Sequence, residues 1–414
     1  MSRRRVVITG LGCITALAES VDGLFTALCE GKSGVSSIQS FDTSEYPVRF
    51  AGEIREFDPT RYIDQRESKR MDRFTQFAVA AAKQAVDDSG LDFKKTDIFR
   101  TGVIVGTGIG GIKEIEDQHL RILDKGPSKV SPFCVPRLMA NAASGNIAIT
   151  YGLRGPNFCV SSACASGNHA IGEAFCNIIA GRSDIMITGG TEAAVTPIGL
   201  ASFCAARSLS TRNDNPPAAS RPFDKDRDGF VLAEGAGVLI LEEESHARKR
   251  GAKIYAELLG YAATDDGYHI TAPLPDGDGA ARTMQLALED ASLVKEKIDY
   301  INAHGTGTEL NDLAESAAIR NVFGTHATKL AVSSTKSCLG HLLGASGAVE
   351  LIICAKAVTK SIVPPTINLE NLDERCGTDM NFVALKPQKR EVNFALSNSF
   401  GFGGHNACLV IGKV

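Results

Sequence analysis

Short apolar, β-branched runs alternate along this chain with longer amphipathic stretches. Runs at 6–9, 102–105, 185–188, 237–242, 254–261, 300–303, 330–333, 394–397 and 407–411 read as strands. Stretches at 73–89, 112–123, 167–180, 280–291, 313–323 and 345–359 read as helices. The alternation predicts α/β layering with buried sheets. The first run follows Arg3, Arg4 and Arg5, which gives it a superficial likeness to a secretory signal. Gly10 and Gly12 break it, however, and no small-residue cleavage site closes it, so it reads as a strand and turn. Elsewhere no run approaches about 18 apolar residues, and no membrane-spanning helix is expected.

One pattern recurs. Val160-Ser161-Ser162 leads to Cys164 and then a helix of small residues; Val332-Ser333-Ser334 leads to Lys336, His341 and another such helix. Both read strand, polar loop, helix. Two halves of one fold, facing each other and each supplying chemical groups, would produce this echo.

Composition narrows the class. The chain has 414 residues, 43% of them hydrophobic and 22% charged, as in a soluble globular protein of two or three domains. A net charge of −4 gives no global field to recruit nucleic acid or a membrane. The 11 cysteines are scattered, without any C-x-x-C pair, and ten of them read as reduced thiols of a cytoplasmic protein.

Three segments carry acyl-transfer chemistry. Cys164 stands in Ser161-Ser162-Ala163-Cys164-Ala165-Ser166-Gly167, ahead of a helix whose dipole would favour the thiolate. His304 opens His304-Gly305-Thr306-Gly307-Thr308 at a strand end, a frequent address for function. His341 follows Lys336 in one loop, and a lysine beside a histidine keeps the imidazole neutral and a donor. Glu350 lies in an apolar run and needs a partner, for which Lys336 is the candidate. One thiol and two imidazoles suit a carbon–carbon condensation: the thiol carries an acyl group and the imidazoles hold an enolate oxygen. Asn398-Ser399-Phe400-Gly401-Phe402-Gly403-Gly404 could swing as a gate and expose N–H groups. Taken singly, each segment also has a plain packing or turn reading.

Two motifs are decoys. Gly106-Thr107-Gly108-Ile109-Gly110-Gly111 fits G-x-G-x-x-G after a strand, but no strand ending in an acidic residue follows at the required distance. Asp224-Lys225-Asp226-Arg227-Asp228-Gly229 begins like a calcium loop whose twelfth position is Gly235, so it reads as a structural acidic turn.

Together S-S-A-C-A-S-G at Cys164, N-A-H-G-T-G-T at His304, T-K-S-C-L-G-H at His341 and N-S-F-G-F-G-G from Asn398 are specific. With Thr211-Arg212-Asn213-Asp214 and Ser220-Arg221-Pro222-Phe223-Asp224, they make the chain resemble the elongating β-ketoacyl-acyl carrier protein synthases, most closely the synthase II branch. The resemblance covers nearly the whole chain. It implies a duplicated thiolase-like five-layer α-β-α-β-α core with two mixed sheets, 1–252 forming the half with the nucleophile and 253–414 the half with both histidines. It also implies a cytoplasmic homodimer that extends fatty acids by decarboxylative condensation with malonyl-acyl carrier protein.

In that family's terms Cys164 would be acylated, and His304 and His341 would hold the malonyl thioester oxygen. Lys336 and Glu350 would order the site, and the N–H groups of Cys164 and Phe402 would form an oxyanion hole, with Phe402 as gate. Thr306 and Thr308 would bind the pantetheine arm; Phe203, Thr271 and Phe400 would contact substrate. Ile109 would close the acyl pocket from the partner subunit. Arg66, Lys69, Arg70, Lys125, Lys129 and Arg207 are candidates for docking the acidic carrier protein. No cofactor is expected beyond the carrier's own phosphopantetheine, although the family suggests a monovalent cation near Asn302, Glu350 and Asn398. His405 departs from a frequent threonine and is expected to be inert. The same residues fit a free-standing polyketide ketosynthase. A degradative thiolase would need a second cysteine as base near the C-terminus, where Phe402 stands and Cys408 sits in a strand; a non-catalytic chain-length partner would lack Cys164.

Overall fold

Ten strands frame the protein, for which a computed structural model describes residues 3–414. They are β1 (Val6–Thr15), β2 (Thr101–Gly106), β3 (Asn157–Val160), β4 (Ile185–Glu192), β5 (Gly235–Glu243), β6 (Ala256–Asp265), β7 (Tyr300–Asn302), β8 (Ala331–Ser333), β9 (Phe394–Gly401) and β10 (His405–Gly412). Six helices position the site: α1 (Arg73–Ser89), α2 (Ile112–Lys125), α3 (Ser166–Ile179), α4 (Asp278–Asp290), α5 (Glu309–Phe323) and α6 (Ser346–Lys360).

Across the sheet the strands run β8-β7-β9-β10-β6-β1-β5-β4-β2-β3. Read inward from each edge, the two halves are β3-β2-β4-β5-β1 and β8-β7-β9-β10-β6, the same order twice. Directions repeat as well. β2 is parallel to β3 and β4, and β5 is antiparallel to its neighbours. β7 is parallel to β8 and β9, and β10 is antiparallel to its neighbours. The chain is therefore a duplication. The echoed segments stand at equivalent edges, one after β3 and the other after β8. The two expected sheets are not separate, however: β1 pairs with β6 through Val6, Val7 and Ile8 and joins them. An irregularity between Ile8 and Gly10 follows that pairing.

Three apolar cores define five layers. One packs α1 on the outer face of the first half through Phe74, Phe77 and Ala81. A central one packs α3 and α6 between the halves through Ile171, Phe175, Val349 and Ile352. A third packs α4 and α5 on the second half through Met284, Ile319 and Phe323. Among the described residues no helix is long and apolar enough to cross a membrane.

Gly10 and Gly12 do not make the turn expected of them; β1 runs through both to Thr15. They are glycines because α1 lies directly on the strand there. A Cβ on Gly10 would run into the Ala85 carbonyl, and one on Gly12 into the Ala81 carbonyl. The N-terminal arginines tie down the start of β1: Arg4 donates to the Ile178 carbonyl at 2.9 Å, and Arg5 pairs with Glu244 at 2.7 Å. Strand β3 was anticipated only at its Val160 end, by the echoed segment, and is absent from the apolar runs because it is a short edge with Phe158 40% exposed. Short helices Val21–Cys29, Ala142–Tyr151 and Pro197–Ala205 escaped it too. Replacing Gly12 with Ala is expected to lower stability by about 1–3 kcal/mol, the usual range for overpacking. An unchanged urea midpoint would contradict the close contact.

Candidate active site

A cavity of about 620 Å³ is lined by loops leaving the C-terminal ends of parallel strands from both halves. Cys164 comes from the loop after β3, His304 from the loop after β7 and His341 from the loop after β8. All three line this one cavity although distant in sequence.

Cys164 follows a strained residue. Ala163 has a φ of 50°, in the left-handed region, where a non-glycine residue needs support from its surroundings. The support is a ring of short bonds: Ser166 Oγ donates to the Ala163 carbonyl at 2.7 Å and accepts from the Ser162 N–H at 2.9 Å. Ser162 Oγ also meets His169 Nδ1 at 2.5 Å, a contact nothing in the motif announced. Gly401 crosses so close that a Cβ there would lie 2.8 Å from the Ser162 carbonyl and 3.1 Å from the Cys164 nitrogen. That approach brings the Phe402 N–H, beside the N–H of Cys164 itself, against the Cys164 sulfur. Both N–H groups favour the thiolate form of Cys164. The expected thiolate is not the resting state. Burial pushes the Cys164 thiol up to about 12, against the pull of Lys336 and of the two N–H groups.

Lys336 and Glu350 are both buried and form an ion pair at 2.5 Å. The ammonium also donates to the His304 carbonyl at 2.7 Å and lies 3.4 Å from His304 Nδ1. Burial and then Lys336 hold the His304 imidazole well below its ordinary pKa, and the same two causes act on His341. Burial pushes the Glu350 carboxyl up while Lys336 pulls it back. The rings stand 5.3 Å apart in a T-shape. Leu343 donates its N–H to His341 Nδ1 at 3.2 Å, so the neutral ring carries its proton on Nε2. Among the described residues that Nε2 has no partner, and the ring lines the cavity. Lys336 faces Nδ1 of His304, which puts that proton on Nε2 too. Two neutral N–H donors result.

Phe402, Phe400, Phe203, Thr271, Thr306, Thr308, Ile109 and Arg207 line the cavity as well. Thr306 and Thr308 meet through their hydroxyls at 2.9 Å. Ile109, on the loop after β2, lines this cavity while remaining 41% exposed. Arg66, Lys69, Arg70, Lys125 and Lys129 are exposed and do not line the cavity. Arg70 pairs with Glu67 at 2.9 Å and lies over the Phe133 ring. His405 is outside the cavity wall, 3.5 Å from Asp265.

Two carboxylates escaped the sequence reading. Glu315 on α5 accepts the N–H groups of His304 and Gly305 at 2.8 and 2.7 Å, and burial raises it to about 7. Glu192 ends β4 and accepts from Thr107, Gly108, Ile109 and Gly344. The signal was present in each case: an acid among small residues of a helix, and an acid closing an apolar strand. Glu192 also explains the glycine-rich decoy, whose N–H donors are already taken by a carboxylate and are not free for a phosphate. The acidic turn is structural as expected: Asp224 caps Asp226, Glu370 and Asn371 N–H groups, and Arg227 bonds Asp373 at 2.8 Å.

Comparisons with known proteins agree with this geometry. The Beta-ketoacyl synthase N-terminal domain matches residues 3–247, and the Beta-ketoacyl synthase C-terminal domain matches 255–370. The 3-oxoacyl-[acyl-carrier-protein] synthase 2 of Synechocystis is 52% identical over 100% of this chain and 99% of its own. The ishigamide ketosynthase/chain length factor superposes with a TM-score of 0.93 at 38% identity, covering 100% of both chains. AntDE:AntF, a type II PKS acyl-carrier protein in complex with its ketosynthase bound to the hexaketide, gives 0.93 at 35% identity, again over 100% of both. On the match of both domains across a cavity that joins a cysteine to two neutral histidines, the chain belongs to the β-ketoacyl synthase family.

Proposed function

We propose that this protein is a fatty-acid-elongating 3-oxoacyl-[acyl-carrier-protein] synthase of type 2. The observation that carries the reading is the pair of Nε2–H donors and the two N–H groups facing one cavity around Cys164. Identity to the Synechocystis synthase exceeds that to the ishigamide ketosynthase and to the type II PKS ketosynthase, which favours fatty acid over polyketide elongation.

The Cys164 sulfur attacks the thioester of an acyl carrier protein, and the oxyanion is met by the N–H groups of Cys164 and Phe402. The carrier's sulfur leaves with the thiol's proton. Malonyl carrier protein then enters, and His304 and His341 donate to its thioester oxygen. Carbon dioxide departs and its bonding electrons become an enolate. The enolate carbon attacks the acyl-Cys164 carbonyl, the C–S bond breaks, and the Cys164 thiolate so released takes a proton from water. The product is a β-ketoacyl chain two carbons longer. Neutral imidazoles suit this, because a buried cation beside Lys336 would be costly. Decarboxylation supplies the driving force, so no redox cofactor is needed.

Asn302 Oδ1, Glu350 Oε2 and Asn398 Oδ1 are buried without partners among the described residues, an all-oxygen set that fits a hard cation. A monovalent cation held there would supply a fixed positive charge beside Glu350. The eleven cysteines are all free, which supports a reducing, cytoplasmic setting. Exposed Ile149, Val135 and Phe158, beside the open edge of β3, support a homodimer. The carrier protein would dock on the basic surface near Lys69 and Arg70, with Arg207 at the cavity itself.

Replacing Cys164 with Ala is expected to abolish acyl loading by intact mass while malonyl decarboxylation persists. Loading elsewhere would sink the assignment. Lys336→Ala leaves Glu350 buried and unpaired, and a stability loss of about 3–5 kcal/mol should appear in urea unfolding. Decarboxylation should fall with it; native stability would refute the pair's role. Reversing Lys69 and Arg70 to glutamate should raise the KM for carrier protein and flatten its salt dependence. If neither moves, docking lies elsewhere.

A further inference from the structure

We propose that Glu192 is a positioning residue that sets the acyl-pocket wall and the enolate-holding His341 in register through a single buried carboxylate. This rests on the function proposed above and extends it to a residue that touches neither substrate nor sulfur.

Glu192 is 0% exposed. Its Oε1 accepts from the Thr107 hydroxyl at 2.9 Å and the Ile109 N–H at 3.2 Å. Its Oε2 accepts from the Gly108 N–H at 2.8 Å and the Gly344 N–H at 3.1 Å. Four donors converge, which suits an ionised, acceptor-only carboxylate. Three of them belong to the loop after β2, which ends at the cavity-lining Ile109. The fourth belongs to the other half, between His341 and α6. The two loops also touch backbone to backbone, since a Cβ on Gly344 would strike the Gly108 nitrogen.

The grip on Gly344 reaches His341 through one residue. Leu343 has a φ of 47°, a left-handed conformation that a leucine holds only when its surroundings impose it. That conformation aims its N–H at His341 Nδ1. Fixing Gly344 therefore fixes Leu343, whose N–H joins the Ser346 hydroxyl, 2.9 Å from Nδ1, in keeping the His341 proton on Nε2. The same oxygen that holds Gly344 holds Gly108, so the pocket wall and the imidazole are located from one point.

The test is Glu192→Gln, which keeps the size but turns a donor toward donors. Ring nitrogen-15 shifts of His341 report the tautomer without turnover. In the wild type they should show Nε2–H; in the variant, a mixture. Malonyl-carrier protein decarboxylation without acyl donor should fall by about 10²-fold, as a misplaced group of this kind does. The chain-length profile of Cys164 loading should broaden. A folded variant with native tautomer, rate and profile overturns the proposal. Should the variant not fold, Thr107→Val removes a donor on the acyl side only. It should change the loading profile and leave decarboxylation intact; a native profile overturns the proposal. Absence of decarboxylation by the wild type would sink the functional reading instead, because the tautomer measurement stands without it.

Discussion

The buried ion pair between Lys336 and Glu350 is the constraint around which the site is arranged. Its ammonium is held by a carboxylate at 2.5 Å and by the His304 carbonyl at 2.7 Å, away from water. Burial and, after it, this fixed positive charge hold both imidazoles neutral. Neutral rings with their Nδ1 atoms occupied present Nε2–H to the cavity. The electrostatics of the site thus follow from burial together with one fixed charge.

Desolvation has a second consequence. The same burial that neutralises the imidazoles also protects the Cys164 proton, raising the thiol to about 12. The helix that begins at Ser166 does not leave a free thiolate waiting. In the proposed reaction, proton loss is instead coupled to attack, where the departing carrier sulfur accepts it.

Much of this was legible in the sequence, and for definite reasons. The buried strands announced themselves as apolar runs, and α1 was read end to end because its amphipathic period is unbroken from Arg73 to Ser89. The echo around Val160 and Val332 foretold the duplication. The pairing of Lys336 with Glu350 could be read because an acid in an apolar helix demands a partner. What was hidden depends on contacts across the fold. Gly10 and Gly12 look like turn residues until α1 is placed upon them. The strain at Ala163 and Leu343, and the grip of Glu192 on two distant loops, have no local pattern at all.

The central claim is that an acyl chain on Cys164 is joined to an enolate formed in the same cavity. The direct measurement is to load the protein with a carbon-13-labelled acyl chain, remove excess donor, and add malonyl carrier protein. The account predicts that label leaves Cys164 and arrives on carrier protein, in equal amount, in a β-ketoacyl chain two carbons longer. Label released as free acid, or retained on Cys164 while malonyl carrier protein is decarboxylated, would contradict it.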